Sequence, residues 1–177
     1  IVFHIISHLD VGGAERVAIN IAESPTEGIA YHVVELIRAH SDFTDVLIKE
    51  LRDHNITYHR GWIPEIHFHY LFERLAALTF PLWFLWLFLK YKPQVLHSHT
   101  EMPDLSIYCF FRLFPWALKR CKIVRTIHNT RLWTGMQRTG QRIEAFFIRQ
   151  NANIAISEAV KSNYQEHYHD SPPIIYN

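Results

Sequence analysis

The feature that most constrains this chain is a regular alternation of short apolar runs with segments of helical spacing. The first run covers residues 1–6 and ends just before a pair of glycines. Apolar residues then recur at i, i+3, i+4, i+7 and i+8, namely Ala14, Val17, Ala18, Ile21 and Ala22. Strands that alternate with helices in this way predict an α/β fold with a Rossmann-like parallel sheet, right-handed crossovers and helices on both faces.

The same reasoning predicts the remaining elements. Strands are expected at 31–37, 56–58, 94–97, 122–127 and 153–156, and helices at 43–54, 69–91, 105–119, 138–150 and 158–168. Pro81 should interrupt the helix 69–91, which Pro93 stops. Ser157 should cap the last helix. The extended end, 172–177, resembles a domain linker, so residues 1–177 are expected to form a single domain.

Composition narrows the class of protein. With 177 residues, of which 49% are hydrophobic, the chain can bury one substantial core. The net charge is +1 and the basic residues look dispersed, which offers no electrostatic case for a nucleic-acid partner. The two cysteines, Cys109 and Cys121, lack CxxC spacing, so the sequence suggests neither a zinc ribbon nor a disulfide framework. We therefore expect a cytoplasmic location.

A glycine pair, Gly12-Gly13, lies where the first strand turns into the first helix. Glycines there allow a sharp bend and close approach of a ligand, and the helix N-terminus offers free N–H groups to an anion. A simple tight turn explains the pair equally well. NAD binding is disfavoured because the GxGxxG pattern is absent.

Histidines end two of the predicted strands. His97 and His99 can point to the same face because side chains alternate along a strand, and His128 leaves the next strand at its carboxyl end. Ligands of such sheets bind at this edge. A buried structural histidine is the alternative for each, and it is favoured for His97. Glu101 and Asp104 are expected in the loop that follows, where their carboxylates could bind ligand hydroxyls or be solvated.

Five segments occur in an order that resembles the successive signatures of family-4 glycosyltransferases. They are GGAERVAINIAE (12–23), HSHTEMPD (97–104), RTIHNT (125–130), AISEAVKSNY (155–164) and IIYN (174–177). The resemblance spans nearly the whole chain, and GGAER is its most specific part.

This resemblance implies the N-terminal, acceptor-side half of a two-domain GT-B enzyme. The enzyme would be a hexosyltransferase that transfers a sugar, with retention, from a UDP- or GDP-sugar to a saccharide or lipid-linked acceptor in polysaccharide or lipopolysaccharide biosynthesis. No metal or obligatory cofactor is implied. The C-terminal, nucleotide-sugar-binding domain and its glutamate-bearing motif are absent from this chain, so we expect the chain alone to be inactive.

The resemblance also assigns roles to residues, position by position. His128 and His99 match the catalytic histidines. Contacts to the donor phosphates or substrate are expected from Gly12, Gly13, Glu15, Arg16, Asn129, Thr130 and Ser157. Acceptor contacts are expected from His97, Thr100, Glu101 and Asp104. For Glu15 and Arg16 a role in helix-terminal structure stays open, and capping alone suffices to explain Ser157.

The segment Leu75–Leu89 is apolar at every position except Thr79. It is shorter than the about 20 residues that a membrane-spanning helix needs. Either it is buried, as helices that are hydrophobic all round usually are, or it lies in a lipid interface with Arg74, Lys90 and Lys92 near the headgroups. A lipid-linked acceptor would favour the second reading and a peripheral position on the inner face of the membrane.

Two other classes of function fit the same residues. A metal-dependent hydrolase could use His97, His99 and His128 as ligands together with Asp104, because imidazole and carboxylate suit zinc. A nonenzymatic ligand-binding module would use the same crevice without chemistry. Stoichiometric zinc that is lost when His97 and His99 are replaced would favour the hydrolase.

Overall fold

A computed structural model describes residues 1–24, 26–65 and 69–176, with residues 69–71 described by their backbone only. Asn177, the last residue of the IIYN segment, lies outside these ranges. The strands are β1 (Val2–Ile6), β2 (Tyr31–Glu35), β3 (Ile37–Arg38), β4 (Thr57–His59), β5 (Ile63–Pro64), β6 (Val95–Ser98), β7 (Lys122–Ile127) and β8 (Asn153–Ala155). The helices are α1 (Gly13–Glu23), α2 (Asp42–Asp53), α3 (His69–Tyr91), α4 (Glu101–Leu113), α5 (Gln137–Arg149) and α6 (Glu158–Tyr168).

Six of the strands form one parallel sheet in the order β4-β2-β1-β6-β7-β8. This confirms the predicted Rossmann-like α/β fold. Strands β3 and β5 form a separate parallel pair that the sequence analysis did not predict. Each has only two residues, which is too short for side-chain alternation to reveal it.

The helices cover both faces of the sheet. On one face, α1 and α2 pack on Ile6 and Val33. On the other face, α3, α4 and α5 bury a larger core against Phe3, Ile5 and neighbouring strand residues. Since consecutive helices cross to the next parallel strand, all loops that follow the strands meet at one edge. The crevice expected at the carboxyl ends is therefore formed by loops from both layers.

Two helices differ from the prediction: α3 is not interrupted at Pro81, and α4 begins earlier and ends at Leu113, so that 115–119 forms a separate short 3₁₀ helix. Helix α3 runs through Pro81 without ending, because the loss of one backbone hydrogen bond is outweighed by burial of its neighbours Phe80 and Phe84 in the core. Helix α4 begins at Glu101, with Thr100 at its N-cap position and Pro103 in its first turn, where a missing N–H costs little. Glu101 and Asp104 therefore lie in the first turn of a helix and not in a loop.

A buried ion network joins β7 to α4 and α5. The Arg125 guanidinium contacts Glu144 through two hydrogen bonds of 2.6 and 2.7 Å and lies 2.7 Å from the Asp104 carboxylate. Trp133 and Tyr164 donate to the same Glu144 carboxylate. The network ties the loop after β7 to the body of the domain, so it holds the loop that follows His128 in place.

Candidate active site at the carboxyl ends of the strands

Four imidazoles gather where β1, β6 and β7 end. His4 pairs with His97 in the register of β1 and β6, and its Nδ1 lies 3.0 Å from Nε2 of His99. The rings of His97 and His99 are 4.1 Å apart, and those of His99 and His128 are 5.9 Å apart. The structure therefore brings together the histidines of two strand ends, as the parallel topology predicts.

Burial keeps these imidazoles neutral. His4 and His99 are 0% exposed and His97 is 8% exposed. Removal from water lowers the pKa of His4 to about 4 and lowers the pKa values of His97 and His99 well below that of a free histidine. The pKa of His128 is also lowered by burial. Each ring can therefore donate one hydrogen bond and accept one.

His128 is the member of the cluster that a ligand can reach. It is partly exposed, whereas His99 is fully enclosed. Among the residues that the structure describes, Nε2 of His4, Nδ1 of His99 and Nε2 of His128 are buried atoms without a hydrogen-bond partner, so the exposed part of His128 is the remainder of its ring. A catalytic contact, which the sequence analysis assigned to both, is available to His128, while His99 lies behind it.

His4 was missed by the sequence analysis. It lies on the same side of β1 as Ile6, and the parallel pairing of β1 with β6 places it beside His97. In the sequence, His4 is a polar residue inside an otherwise apolar strand, which could have marked it. Only the strand order identifies the residue next to it. His97, in turn, is hydrogen bonded to Thr126 at 2.7 Å, which fits the structural reading favoured for it.

Thr100, which follows His99 in the chain, lines a cleft of about 340 Å³, whereas the four clustered histidines are not among its lining residues. Its wall includes Thr100 and Glu101, and Thr100 is hydrogen bonded to Ser7 at 2.9 Å. The other lining residues are His8, Glu73, Arg74, Met102, Trp133, Thr134 and Met136. Hydroxyl, carboxylate, guanidinium and imidazole groups around one small cleft suit recognition of a polar, hydroxyl-rich ligand.

Asp104 does not line this cleft. It is 1% exposed, accepts a hydrogen bond from Ser98 at 2.6 Å and contacts Arg125. The expected acceptor contact is therefore unavailable to it, because both sides of its carboxylate are engaged inside the domain. Sequence reasoning placed Asp104 in a loop, where it would have been exposed.

The carboxylate of Glu15 lies next to the glycine loop. Gly12 occupies the N-cap position of α1, where no side chain caps the helix, and a Cβ at Gly12 would lie 2.0 Å from a carboxylate oxygen of Glu15. Burial raises the pKa of Glu15, an effect that a hydrogen bond from its own backbone N–H partly offsets. The N–H groups expected to receive a phosphate thus already face a carboxylate.

Two other predicted phosphate contacts have structural roles. Arg16 lies 2.7 Å from the Glu50 carboxylate and joins α1 to α2. Ser157 caps α6 by accepting a hydrogen bond from the Val160 N–H at 3.3 Å. Both side chains are therefore engaged within the domain.

The remaining predicted phosphate contacts are accessible. Asn129 and Thr130 are exposed in the loop after β7, and Gly13 is exposed at the start of α1. Gly12 is partly exposed. These four positions can be reached by a ligand without any rearrangement of the core.

The comparison with protein families decides what kind of domain this is. Residues 11–177 match the family model described as Glycosyltransferase Family 4. The chain belongs to glycosyltransferase family 4. This confirms the resemblance based on the five ordered motifs. None of the curated proteins matches this family-4 chain.

Solved structures agree on the fold of this family-4 domain. A glycosyltransferase from Rickettsia africae has a TM-score of 0.66 at 16% identity, and the match covers 99% of this chain and 42% of the other. The lipopolysaccharide outer core galactosyltransferase WaaB has a TM-score of 0.62 at 15% identity, with 99% and 45% covered. Anabaena Alr3699/HepE, solved with UDP and glucose, has a TM-score of 0.58 at 16% identity, with 99% and 44% covered. The family-4 chain thus spans less than half the length of these proteins.

Proposed function

We propose that this chain is the acceptor-side half of a retaining glycosyltransferase that moves a hexose from a UDP- or GDP-sugar to a saccharide or lipid-linked acceptor. The observation that carries the proposal is the partly exposed His128 at the carboxyl end of β7, which is backed by His99. Thr100, the residue after His99, lines the cleft together with Glu101. Family membership supports sugar transfer in general, and the neighbour solved with UDP and glucose supports a nucleotide-sugar donor.

His128 is the residue that we assign to contact the transferred sugar. A neutral imidazole at the rim can donate one hydrogen bond to a sugar hydroxyl or accept one from it. During glycosyl transfer, positive charge develops on the sugar and negative charge on the departing diphosphate, so a protonated imidazole next to the sugar would oppose the reaction. The lowered pKa of His128 keeps that position uncharged.

The departing diphosphate would be held near Gly12 and Gly13. Backbone N–H groups at the start of a helix stabilise such an anion. Because the Glu15 carboxylate faces the same N–H groups, we propose that it turns away or takes up a proton when phosphate binds. The second lobe, outside these residues, would supply the remaining donor contacts and close the cleft against water.

Thr100 and Glu101 are the residues that we assign to the acceptor. Their hydroxyl and carboxylate groups line the cleft together with Arg74, and all three can form hydrogen bonds to sugar hydroxyls. A lipid-linked acceptor would place the enzyme at the cytoplasmic face of a membrane. WaaB, a neighbour in structure, is by its name a lipopolysaccharide outer core galactosyltransferase, which fits an acceptor of this kind.

A metal-dependent hydrolase is less well supported. Ligand atoms of His4, His97 and His99 lie within 4.8 Å of one another and could hold a metal ion. A hydrolytic metal must keep an open coordination position for water, and these three histidines are at most 8% exposed. Any ion bound there would be enclosed, so this group does not fit hydrolysis of an external substrate.

The test measures sugar transfer by the full-length polypeptide. His128→Ala should lower kcat by roughly 100-fold, the size of effect typical of one lost catalytic hydrogen-bonding group, with little change in donor Kd. His54→Ala, an exposed histidine at the C-terminal end of α2, is the matched control and should keep full activity. Unchanged turnover in His128→Ala, or an inverted product anomer detected by NMR, would contradict the proposal.

A further inference from the structure

Helix α3 presents an apolar face to solvent. Five large apolar side chains, spaced at i, i+3, i+7, i+11 and i+14, are 43–66% exposed: Leu75, Leu78, Leu82, Trp86 and Leu89. We call these five residues the α3 apolar face. Soluble monomers seldom leave such a continuous stripe uncovered, and a large exposed patch usually marks a binding surface.

The opposite face of α3 anchors the helix in the domain. Phe80 and Phe84 are 0% exposed, and Phe84 contacts Phe3 of β1 and Phe110 of α4. By length and composition alone, residues 72–91 could cross a membrane, which corrects the expectation that this segment is too short. Crossing would nevertheless pull these phenylalanines out of the core, so only one face of α3 is available to lipid.

Aromatic residues extend the α3 apolar face on both sides. Trp62, which is 65% exposed, stacks on Trp83 with ring centres 6.0 Å apart. Beyond the end of α3, the exposed Trp116 packs against Phe88 at 5.9 Å. Tryptophan combines an apolar body with an N–H donor, which is why it is enriched at the boundary between lipid tails and headgroups.

Two cations border this surface. Residues 74–143 contain eleven of the eighteen basic residues and two of the seventeen acidic ones, and one of each, Arg125 and Asp104, is buried. Glu73 and Glu144 flank this range. Lys90 lies 4.6 Å from the ring centre of Trp86, and Arg120 lies 5.4 Å from that of Trp116, so cations border the exposed indoles.

We propose that the α3 apolar face, with Trp62 and Trp116, docks on an anionic lipid bilayer as a one-sided, non-spanning contact. Apolar side chains would enter the interface, and Lys90 and Arg120 would lie among the headgroups. The suggested benefit of docking, access to a lipid-linked acceptor, rests on the proposed function. Arg74 lines the acceptor cleft and immediately precedes Leu75, so the cleft opens beside the docked face and can receive an acceptor anchored in the same bilayer.

The experiment is flotation of the full-length protein with vesicles of phosphatidylcholine, prepared with and without phosphatidylglycerol. The protein should float with the anionic vesicles, and added salt should weaken the binding because surface charges are screened. The double variant Leu82→Gln, Trp86→Gln should bind at least about tenfold more weakly, since two large apolar groups no longer enter the interface. Val46→Gln, an exposed apolar residue on α2, is the control and should bind normally.

Three results would overturn the docking proposal. The first is failure of the wild-type protein to float with anionic vesicles. The second is equal loss of binding in the Val46 control. The third is a wild-type dimer, seen by analytical ultracentrifugation, that the Leu82/Trp86 variant converts to monomer, which would assign the surface to a second copy of the chain.

The same proteins separate this proposal from the proposed function. If the proposed function is correct and the docking proposal is wrong, the His128 variant loses transfer to a soluble saccharide acceptor while no variant changes vesicle binding. If the docking proposal is correct and the proposed function is wrong, the Leu82/Trp86 variant binds vesicles more weakly although the protein transfers no sugar. The Leu82/Trp86 variant should transfer to a soluble acceptor at the wild-type rate, because neither residue lines the cleft.

Discussion

Replacing Asp104 by asparagine tests the account of the buried ion network. Two carboxylates, Asp104 and Glu144, share the single Arg125 guanidinium in a site that excludes water. Burial raises the pKa of Asp104 to about 7, although the neighbouring Arg125 and the Ser98 hydroxyl oppose the rise. The folded domain should therefore hold a proton on Asp104 under conditions in which the unfolded chain has lost it.

The sign and size of the effect follow from this difference. Between the ordinary pKa of 3.8 and about 7, the folded state binds more protons than the unfolded state, so the free energy of unfolding falls as pH rises. The slope is at most about 1.4 kcal/mol per pH unit, which gives a total near 4 kcal/mol across the window. The stabilisation from this group is complete below about pH 4 and is lost by about pH 7.

The amide of the Asp104→Asn variant cannot titrate, so the variant should lack this slope. Its oxygen can still accept from Ser98, whereas its NH₂ group faces the Arg125 donor and adds a cost that does not depend on pH. Wild type and Asp104→Asn should be unfolded in urea between about pH 4 and pH 8. The free energy of unfolding of wild type should fall, relative to that of the variant, as pH rises. Asp45→Asn, an exposed position on α2, should parallel wild type. Parallel curves for wild type and Asp104→Asn would refute the reasoning.

Two further substitutions probe the local structure. Gly140→Ala should destabilise the domain by about 1–3 kcal/mol, because the added Cβ would lie 2.2 Å from the buried Trp133 side chain. The control is Gly13→Ala, where a Cβ meets nothing within 4 Å. Equal unfolding midpoints in urea for the two variants would contradict the packing argument. Ser157→Ala should lower the free energy of unfolding by about 1 kcal/mol, because the hydrogen bond from the Val160 N–H is lost. Ser157→Asp should keep most of the stability, since aspartate can also cap the helix. A thermal midpoint unchanged in Ser157→Ala would show that the cap is not needed.

The alternation of strands and helices was determined by the sequence itself. Local backbone geometry links side-chain periodicity directly to element type, so β7 was predicted with the boundaries that the structure shows, and α6 was predicted together with its Ser157 cap. Motif order carried the resemblance to the family, which the family model over residues 11–177 confirms. The placement of His99 and His128 at neighbouring strand ends also followed from topology alone.

Only the tertiary structure decided which polar side chains a ligand can reach. Asp104 and Glu101 share the first turn of α4, yet one is enclosed by Arg125 and the other lines the cleft. The apolar α3 likewise divides into a core face and an exposed face only because α4 and the sheet cover one side of it. Exposure depends on residues that are distant in sequence, and periodicity carries no information about which of them will pack against a given side chain.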